Sequence, residues 1–152
     1  VSADGIDRVE FLISPNRGEE LKSLAKIASG GELSRIMLSL KTITAAIDQV
    51  DTLIFDEVDS GVGGKTAAKM AAKLNQISQD RQIICITHLP QIASAGDHHY
   101  LIKKEKGENR AFTKIHSLSA KERVNEIARM IGGATITDKT LAHAEEMKQL
   151  AH

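Results

Sequence analysis

The spacing of apolar side chains predicts two amphipathic helices in the first half of the chain. Between residues 32 and 47, apolar residues recur every three or four positions, at Leu33, Ile36, Met37, Leu40, Ile43 and Ile47. The same period runs through 65–77, at Ala67, Met70, Ala71, Leu74 and Ile77. A period near 3.6 residues places such side chains on one face of a helix, so each helix is expected to bury one face.

Apolar runs without a helical period predict strands. The segments 52–56 (TLIFD) and 82–87 (QIICIT) are short and almost continuously apolar, which is typical of strands that are buried on both faces. Residues 6–13 alternate apolar and polar side chains and therefore predict a half-buried strand. The next segment, 14–31, is rich in glycine and charge and is expected to be mainly loop.

A β-hairpin is predicted downstream, where 98–104 and 111–117 form two strand-like segments joined by a turn at 105–109. Buried strands that alternate with helices predict the α/β fold class, with a largely parallel sheet flanked by helices. We expect residues 1–152 to form a single domain, since a chain of this length buries roughly 68% of its unfolded surface. Ligands usually bind at the carboxyl ends of parallel strands.

Two helices are predicted at the end of the chain. Ser119 and Glu122 fit a capping box that opens a helix over 120–131, and the two glycines that follow end that helix. Asp138 is expected to cap the final helix, over 139–151.

Composition narrows the class of protein. The chain has 20 Lys plus Arg against 20 Asp plus Glu, and 3% aromatic residues, so it gives no sign of a nucleic-acid-binding patch or of a stacking platform for single strands. Cys85 lies in an apolar run, which favours a buried thiol in a reducing compartment. No apolar run approaches the roughly 18 residues of a membrane span, so we expect a cytoplasmic protein without a membrane partner.

Acidic side chains crowd the end of the first apolar strand. Asp56 and Glu57 close the pattern LIFDE, and Asp59 follows two residues later. Like charges about 4 Å apart repel by about 4 kcal/mol at an effective dielectric of about 20, so this loop is a poor direct cradle for a phosphate. With a Mg²⁺ ion present the interaction with phosphate becomes favourable, because carboxylates hold the ion and the ion bridges to phosphate. An apolar strand that ends in Asp-Glu is the Walker B pattern of nucleotide hydrolases. A solvated acidic turn is the alternative interpretation.

Two further loops carry groups that suit a phosphate. Ser29, Gly30 and Gly31 precede a predicted helix, where the serine caps the helix and the glycines let backbone N–H groups approach an anion. His88 follows the second apolar strand, and its imidazole can hydrogen-bond a phosphate oxygen or a catalytic water. Taken singly, an ordinary Ser-Gly helix start and a structural histidine are the better explanations of these two loops.

The order of these loops resembles the ABC-type ATPases, and among them the bacterial DNA-repair relatives of the SMC (structural maintenance of chromosomes) proteins. The segments SGGE, LIFDE, VDSG and TH match the signature motif, Walker B, the D-loop and the switch-histidine loop of that class. The resemblance covers nearly the whole chain. It implies the C-terminal lobe of an SMC/ABC-type P-loop NTPase head, acting in double-strand break repair and recombination.

The same resemblance implies roles for particular residues. Asp56 would position Mg²⁺, Glu57 would be the general base, and His88 would sense the γ-phosphate of ATP. The residues of the signature motif, Ser29, Gly30, Gly31 and Glu32, would bind the phosphate held by an opposite head. Asp59 would act across the interface between the two heads.

The resemblance also implies partners that this chain does not supply. A Walker A lobe from the N-terminal part of the same protein would complete each site, and a second head would pair with the first as a homodimer. ATP and Mg²⁺ would bind only with that N-terminal lobe present, so the isolated chain would not hydrolyse ATP. DNA would be contacted through the full-length, nucleoid-associated protein. A non-hydrolysing docking or scaffold lobe is the alternative, and the presence of both Asp56 and Glu57 argues against it.

The stretch DSGVGGKT, residues 59–66, nearly matches the P-loop pattern G-x-x-x-x-G-K-[ST]. Asp59 stands where the first glycine of that pattern belongs, beside two further carboxylates. We therefore predict that the Gly-Gly-Lys-Thr segment only opens the next helix. A small kinase that binds phosphate through Lys65 is the alternative, and the acidic neighbours argue against it.

Overall fold

The protein is described by a computed structural model that covers residues 5–7, 9–14, 18–26, 29–44, 47, 50–106 and 111–151. In chain order its elements are β1 (Leu12–Ile13), β2 (Lys22–Ser23), α1 (Gly30–Thr44), β3 (Thr52–Phe55), α2 (Gly64–Ser78), β4 (Gln82–Cys85), α3 (Pro90–Ala93), β5 (Tyr100–Lys106), β6 (Ala111–Ser117), α4 (Ala120–Gly132) and α5 (Asp138–Leu150). β3 pairs with β4 in parallel, whereas β1 pairs with β2, and β5 with β6, antiparallel. The predicted α/β class is confirmed, and among the described residues its parallel part is the β3–β4 pair.

The main hydrophobic core lies between α2 and one face of the parallel strands. All five apolar positions predicted for the buried face of α2 are buried. They form one cluster with Leu53 and Phe55 of β3, Leu38 of α1, and Val58 in the loop after β3. Burial of a large aliphatic side chain contributes about 1.5–3 kcal/mol, so α2 is held mainly by this face.

The other face of the parallel pair is exposed, which corrects the prediction that both strands are buried on both faces. Ile54 of β3 is 67% exposed, and Ile84 and Ile86 on the second strand and just beyond it are exposed as well. The alternation arises because successive strand residues point to opposite faces and only one face meets α2. Within the described residues, nothing covers the isoleucine side.

Helix α1 forms as predicted, but most of its apolar stripe is not buried. The helix begins two residues earlier than expected and ends at Thr44. Leu33, Met37 and Ile43 are exposed, and only Leu38 among its large side chains is fully buried. An apolar groove separates this stripe from β3, with Leu33 and Met37 on one side and Ile54 on the other.

The N-terminal strand is much shorter than predicted. Of residues 6–13, only Leu12 and Ile13 pair with β2, and Val9 and Phe11 are exposed. The half-buried prediction is wrong for these two side chains because no described element packs on them; Arg8 lies outside the described residues. The segment 14–31 is mainly loop as predicted, apart from β2, a short 3-10 helix over Leu24–Lys26 and the first two residues of α1; residues 15–17 and 27–28 are not described.

The hairpin and the two terminal helices are confirmed, with two corrections. β5 and β6 pair with Ile102 opposite Ile115, but β5 includes Glu105 and Lys106 of the predicted turn, and residues 107–109 of that turn lie outside the described residues. The predicted capping box of Ser119 and Glu122 opens α4. The cap of α5 is Thr137 rather than Asp138, because Thr137 keeps an extended backbone and its hydroxyl accepts a hydrogen bond from the N–H of Thr140.

These terminal helices pack on each other through a small second cluster. Its buried members are Ile127, Ala128 and Ala144. In the part of the chain that the structure describes, no helix is both long enough and apolar enough to cross a membrane.

Candidate functional site

The parallel pairing of β3 and β4 brings the predicted loops to one edge of the sheet. Phe55 and Cys85 end the two strands side by side, so Asp56 and Glu57 emerge next to the segment that leads to His88. The side chains of Asp56, Glu57 and His88 are all exposed. This edge is the carboxyl end of both strands, where ligands bind in α/β folds.

Glu57 has an unusual backbone conformation. Its φ of 54° lies in the left-handed region, and no other non-glycine residue of the described chain has a positive φ. Side chains other than glycine reach this region at a cost of roughly 1–3 kcal/mol, which persists only when the surroundings fix it. The turn after β3 provides that constraint, since the N–H of Ser60 donates to the carbonyl oxygen of Glu57 at 3.0 Å.

The first two turns of α1 lie directly against this strained turn. The Ser34 hydroxyl donates to the carbonyl oxygen of Asp56 at 2.8 Å, and the Arg35 guanidinium donates to that of Ser60 at 2.8 Å. Sequence reasoning missed both residues. The sequence feature that could have identified them is their position one helical turn after Gly30 and Gly31, on the same side of the helix.

The two glycines at the start of α1 permit this approach. An added Cβ at Gly31 would lie 2.9 Å from the Cβ of Ser60, and one at Gly30 would lie 3.2 Å from the Glu57 carboxylate. Ser29 precedes the helix as predicted, and its hydroxyl accepts a long hydrogen bond of 3.5 Å from the N–H of Glu32. The signature-like segment and the Walker B-like carboxylates therefore adjoin each other within one chain.

Asp59 is turned into the protein. Its side chain is 2% exposed, and its Oδ2 accepts hydrogen bonds from the Thr87 hydroxyl at 2.5 Å and the His88 N–H at 2.9 Å. Burial alone raises the pKa of the Asp59 carboxyl, but the hydrogen bonds from Thr87 and His88, together with the charge interaction with His88, hold the pKa below its usual range. The carboxylate thus faces His88 of its own chain, whereas the resemblance led us to expect it at an interface.

The Gly-Gly-Lys-Thr segment starts α2, as predicted. Gly63 is the extended N-cap residue, and α2 begins at Gly64. The N–H groups of Thr66 and Ala67 both donate to the carbonyl oxygen of Gly63 at 3.0 Å. These groups are engaged in starting a helix, so they do not form a phosphate cradle around Lys65.

The exposed acidic residues are of the type that binds Mg²⁺ together with a nucleotide. No three metal-binding side chains gather at one point among the described residues. Mg²⁺ in nucleotide sites is held by one or two carboxylates together with phosphate oxygens and water, and the exposed Asp56 can supply such a carboxylate.

Comparison with solved structures defines the class of fold. A structure from work on ATP-driven dimerization and DNA-stimulated activation of SMC ATPases matches 78% of this chain and 70% of its own chain, with a TM-score of 0.51 and 19% identity. No family model matches the chain. The chain therefore has the α/β fold of an SMC ATPase.

Sequence comparison identifies the particular relatives. Proteins named DNA repair protein RecN from Bacillus subtilis (strain 168) and Treponema pallidum (strain Nichols) are each 50% identical to it, over 99% and 94% of the chain. The RecN protein of Haemophilus influenzae (strain ATCC 51907 / DSM 11121 / KW20 / Rd) is 47% identical over 100% of the chain. The chain is homologous to RecN proteins, and it spans 25–27% of the length of these three relatives.

Proposed function

We propose that this chain is the C-terminal lobe of a RecN-type ATPase head that hydrolyses ATP in DNA repair. The observation that carries the proposal is the meeting of three loops at one sheet edge, with the start of α1 packed on the turn that holds Asp56 and Glu57. The RecN relatives and the SMC fold support the same reading. DNA binding and association with the nucleoid would be properties of the full-length protein.

Each residue of the edge has a proposed part. The exposed Asp56 would hold the Mg²⁺ ion that comes with ATP, and that ion would neutralise negative charge on the phosphates. Glu57 takes a proton from the attacking water, a step that contributes typically 10²–10⁴-fold to a rate. His88 contacts the γ-phosphate or the attacking water from the neighbouring strand.

The start of α1 would serve a second head rather than this one. Ser29 and the N–H groups of the first turn, from Gly30 to Glu32, suit a phosphate because a helix N-terminus carries about half a positive charge. The exposed position of Ser29 and Gly30 supports an approach from outside the chain. In this arrangement two heads enclose two ATP molecules. Because Asp59 is buried, it would affect that interface only through Thr87 and His88, to which it is hydrogen-bonded.

A Walker A lobe would cover the apolar surfaces that the described residues leave open. The groove between α1 and β3 and the exposed isoleucines of β3 and β4 form one continuous apolar surface of the kind that a further layer of an α/β fold buries. About three quarters of the length of the RecN relatives lies outside the match and is large enough to contain that layer.

Substitution of Glu57 tests the catalytic proposal in the full-length protein. Glu57→Gln keeps the size and hydrogen bonding of the side chain but removes the base, so ATP should still bind while kcat falls at least about 100-fold. Glu145→Gln, an exposed position on α5, is the matched control and should leave kcat unchanged. Wild-type turnover in Glu57→Gln would place the base elsewhere, and a wild-type protein that binds ATP without hydrolysis would favour the docking lobe.

Substitution of Ser29 tests the contact between heads. Ser29→Arg places bulk and positive charge where a phosphate from another head should approach, so ATP-dependent pairing and hydrolysis should be lost while ATP binding by single heads persists. Ser39→Arg lies about three turns along α1 on an exposed site and serves as the control. Loss of ATP binding in monomers of Ser29→Arg would instead assign this loop to the primary site of its own head.

A further inference from the structure

Asp59 is the buried ionisable side chain of the described part of the chain. The other buried polar residue there is Ser94, which carries no charge. A buried carboxylate is strongly unfavourable unless hydrogen bonds and opposite charges compensate it. The contacts of Asp59 therefore indicate what this charge does.

Those contacts converge on the loop that carries His88. Besides the Thr87 hydroxyl and the His88 N–H, Oδ2 of Asp59 lies 3.2 Å from Nδ1 of the His88 ring. The Thr87 hydroxyl in turn accepts a hydrogen bond from the N–H of Leu89 at 3.1 Å. One oxygen atom thus accepts a hydrogen bond from the backbone of the loop and also lies close to one nitrogen of the imidazole.

The ring itself is not buried. The His88 side chain is 70% exposed, so the buried acid holds an imidazole whose remaining atoms face solvent. A hydrogen bond from one ring nitrogen determines which nitrogen carries the proton in the neutral form. The Asp59 carboxylate can only accept hydrogen bonds, so its position 3.2 Å from Nδ1 favours a proton on that nitrogen and leaves the lone pair of Nε2 on the outward side.

We infer that Asp59 is a positioning residue, which fixes the orientation and tautomer of His88 so that Nε2 is the atom presented to the ligand. A neutral His88 would then accept a hydrogen bond at Nε2 from the O–H of an attacking water, whereas a contact with a γ-phosphate oxygen would require the imidazolium form, which carries a proton on both ring nitrogens. The identity of the ligand rests on the proposed function, whereas the tautomer does not. At metal sites, loss of a group that orients a ligating histidine lowers affinity or activity by roughly 10- to 100-fold, and we expect an effect of similar size for His88.

The first test measures the tautomer directly in wild-type protein. In the ¹⁵N-histidine-labelled full-length protein at a pH where the ring is neutral, the His88 signals should show a proton on Nδ1 and none on Nε2; a His88→Gln sample assigns them. A neutral ring protonated on Nε2 would overturn the inference. This measurement needs neither ATP hydrolysis nor a foldable Asp59 variant, so it stands apart from any failure of the proposed function.

The second test is a double-substitution cycle on ATP turnover. Asp59→Ala and His88→Ala should each lower kcat roughly 10- to 100-fold, and the double variant should be no slower than the slower single one, because Asp59 acts through His88. Asp59→Asn should recover most of the rate, since its carbonyl oxygen can replace Oδ2. Asp80→Ala, at an exposed site after α2, should leave kcat unchanged. Losses that multiply in the double variant would make Asp59 independent of His88 and contradict the inference.

Discussion

Gly31 marks the closest approach of α1 to the turn after β3, and replacing it tests that geometry. The added Cβ of Gly31→Ala would lie 2.9 Å from the Cβ of Ser60 and 3.0 Å from the carbonyl oxygen of Glu57. Carbon atoms in contact prefer about 3.5–4.0 Å, so the helix and the turn must separate by about half an ångström or more. Neither atom belongs to a flexible side-chain end, and the turn already holds Glu57 at a positive φ.

The expected destabilisation follows from two opposing effects. Overpacking of this kind typically costs about 1–3 kcal/mol, and the gain in helix propensity from Gly to Ala offsets at most about 1 kcal/mol of it. A net loss of about 1–2 kcal/mol corresponds to a fall in Tm of roughly 2–8 °C for a chain of this size. Because the displaced turn carries Glu57, ATP turnover of the full-length protein should fall as well.

Thermal unfolding followed by far-UV circular dichroism measures this change. The matched control is Gly64→Ala in the first turn of α2, where the nearest atom to the added Cβ is the flexible end of Gln91 at 3.4 Å. The control should be as stable as wild type or slightly more stable. If Gly31→Ala matches the control in both Tm and turnover, α1 does not contact the turn as closely as described.

Three further predictions concern the caps, the thiol and the buried acid. Thr137→Ala should lower the free energy of unfolding by about 1 kcal/mol in urea titrations, whereas Asp138→Ala should have a smaller effect; the reverse order would restore Asp138 as the cap. Burial raises the pKa of the Cys85 thiol to about 12. At about pH 8 the thiol should therefore react with a disulfide reagent about 100-fold more slowly in the folded chain than in the denatured chain. Equal rates in the two states would contradict its burial. The lowered pKa of Asp59 means that its stabilisation is complete at neutral pH and is lost as the pH falls below about 4. The stability difference between wild type and Asp59→Asn should therefore narrow on acidification, and a constant difference would show that the carboxyl is not perturbed.

The buried face of α2 could be predicted from sequence because every contact it makes lies within the described chain. Burial of β3 was predicted on both faces because a continuous apolar run indicates how much surface is buried, but not which element covers it. The same limit applies to Ile54 of β3 and to Leu33 and Met37 of α1, which are apolar but exposed. The sequence predicts Asp138 as the cap because Asp is a favoured N-cap residue, but Thr is favoured as well, and only the backbone conformation identifies Thr137 as the cap.

Part of the candidate site was predictable by the same logic. Asp56, Glu57 and His88 each follow an apolar strand, and parallel strands bring their carboxyl ends to one edge. The inward turn of Asp59 was not predictable, because the contact joins two different loops whose residues lie 28 positions apart in the chain. The hydrogen bonds of Ser34 and Arg35 depend likewise on how α1 lies against the turn.

ATP–Mg²⁺ binding by the chain alone is the most direct measure of whether its site is one half of a larger one. Calorimetric titration of the isolated chain, with its helix content checked by circular dichroism, should give no detectable binding. Addition of the Walker A lobe of the same protein should create the site, and Lys65→Ala should then leave the affinity unchanged. Micromolar binding by the isolated chain that disappears in Lys65→Ala would identify the Gly-Gly-Lys-Thr segment as a nucleotide loop and contradict the assignment of the chain as a C-terminal ATPase lobe.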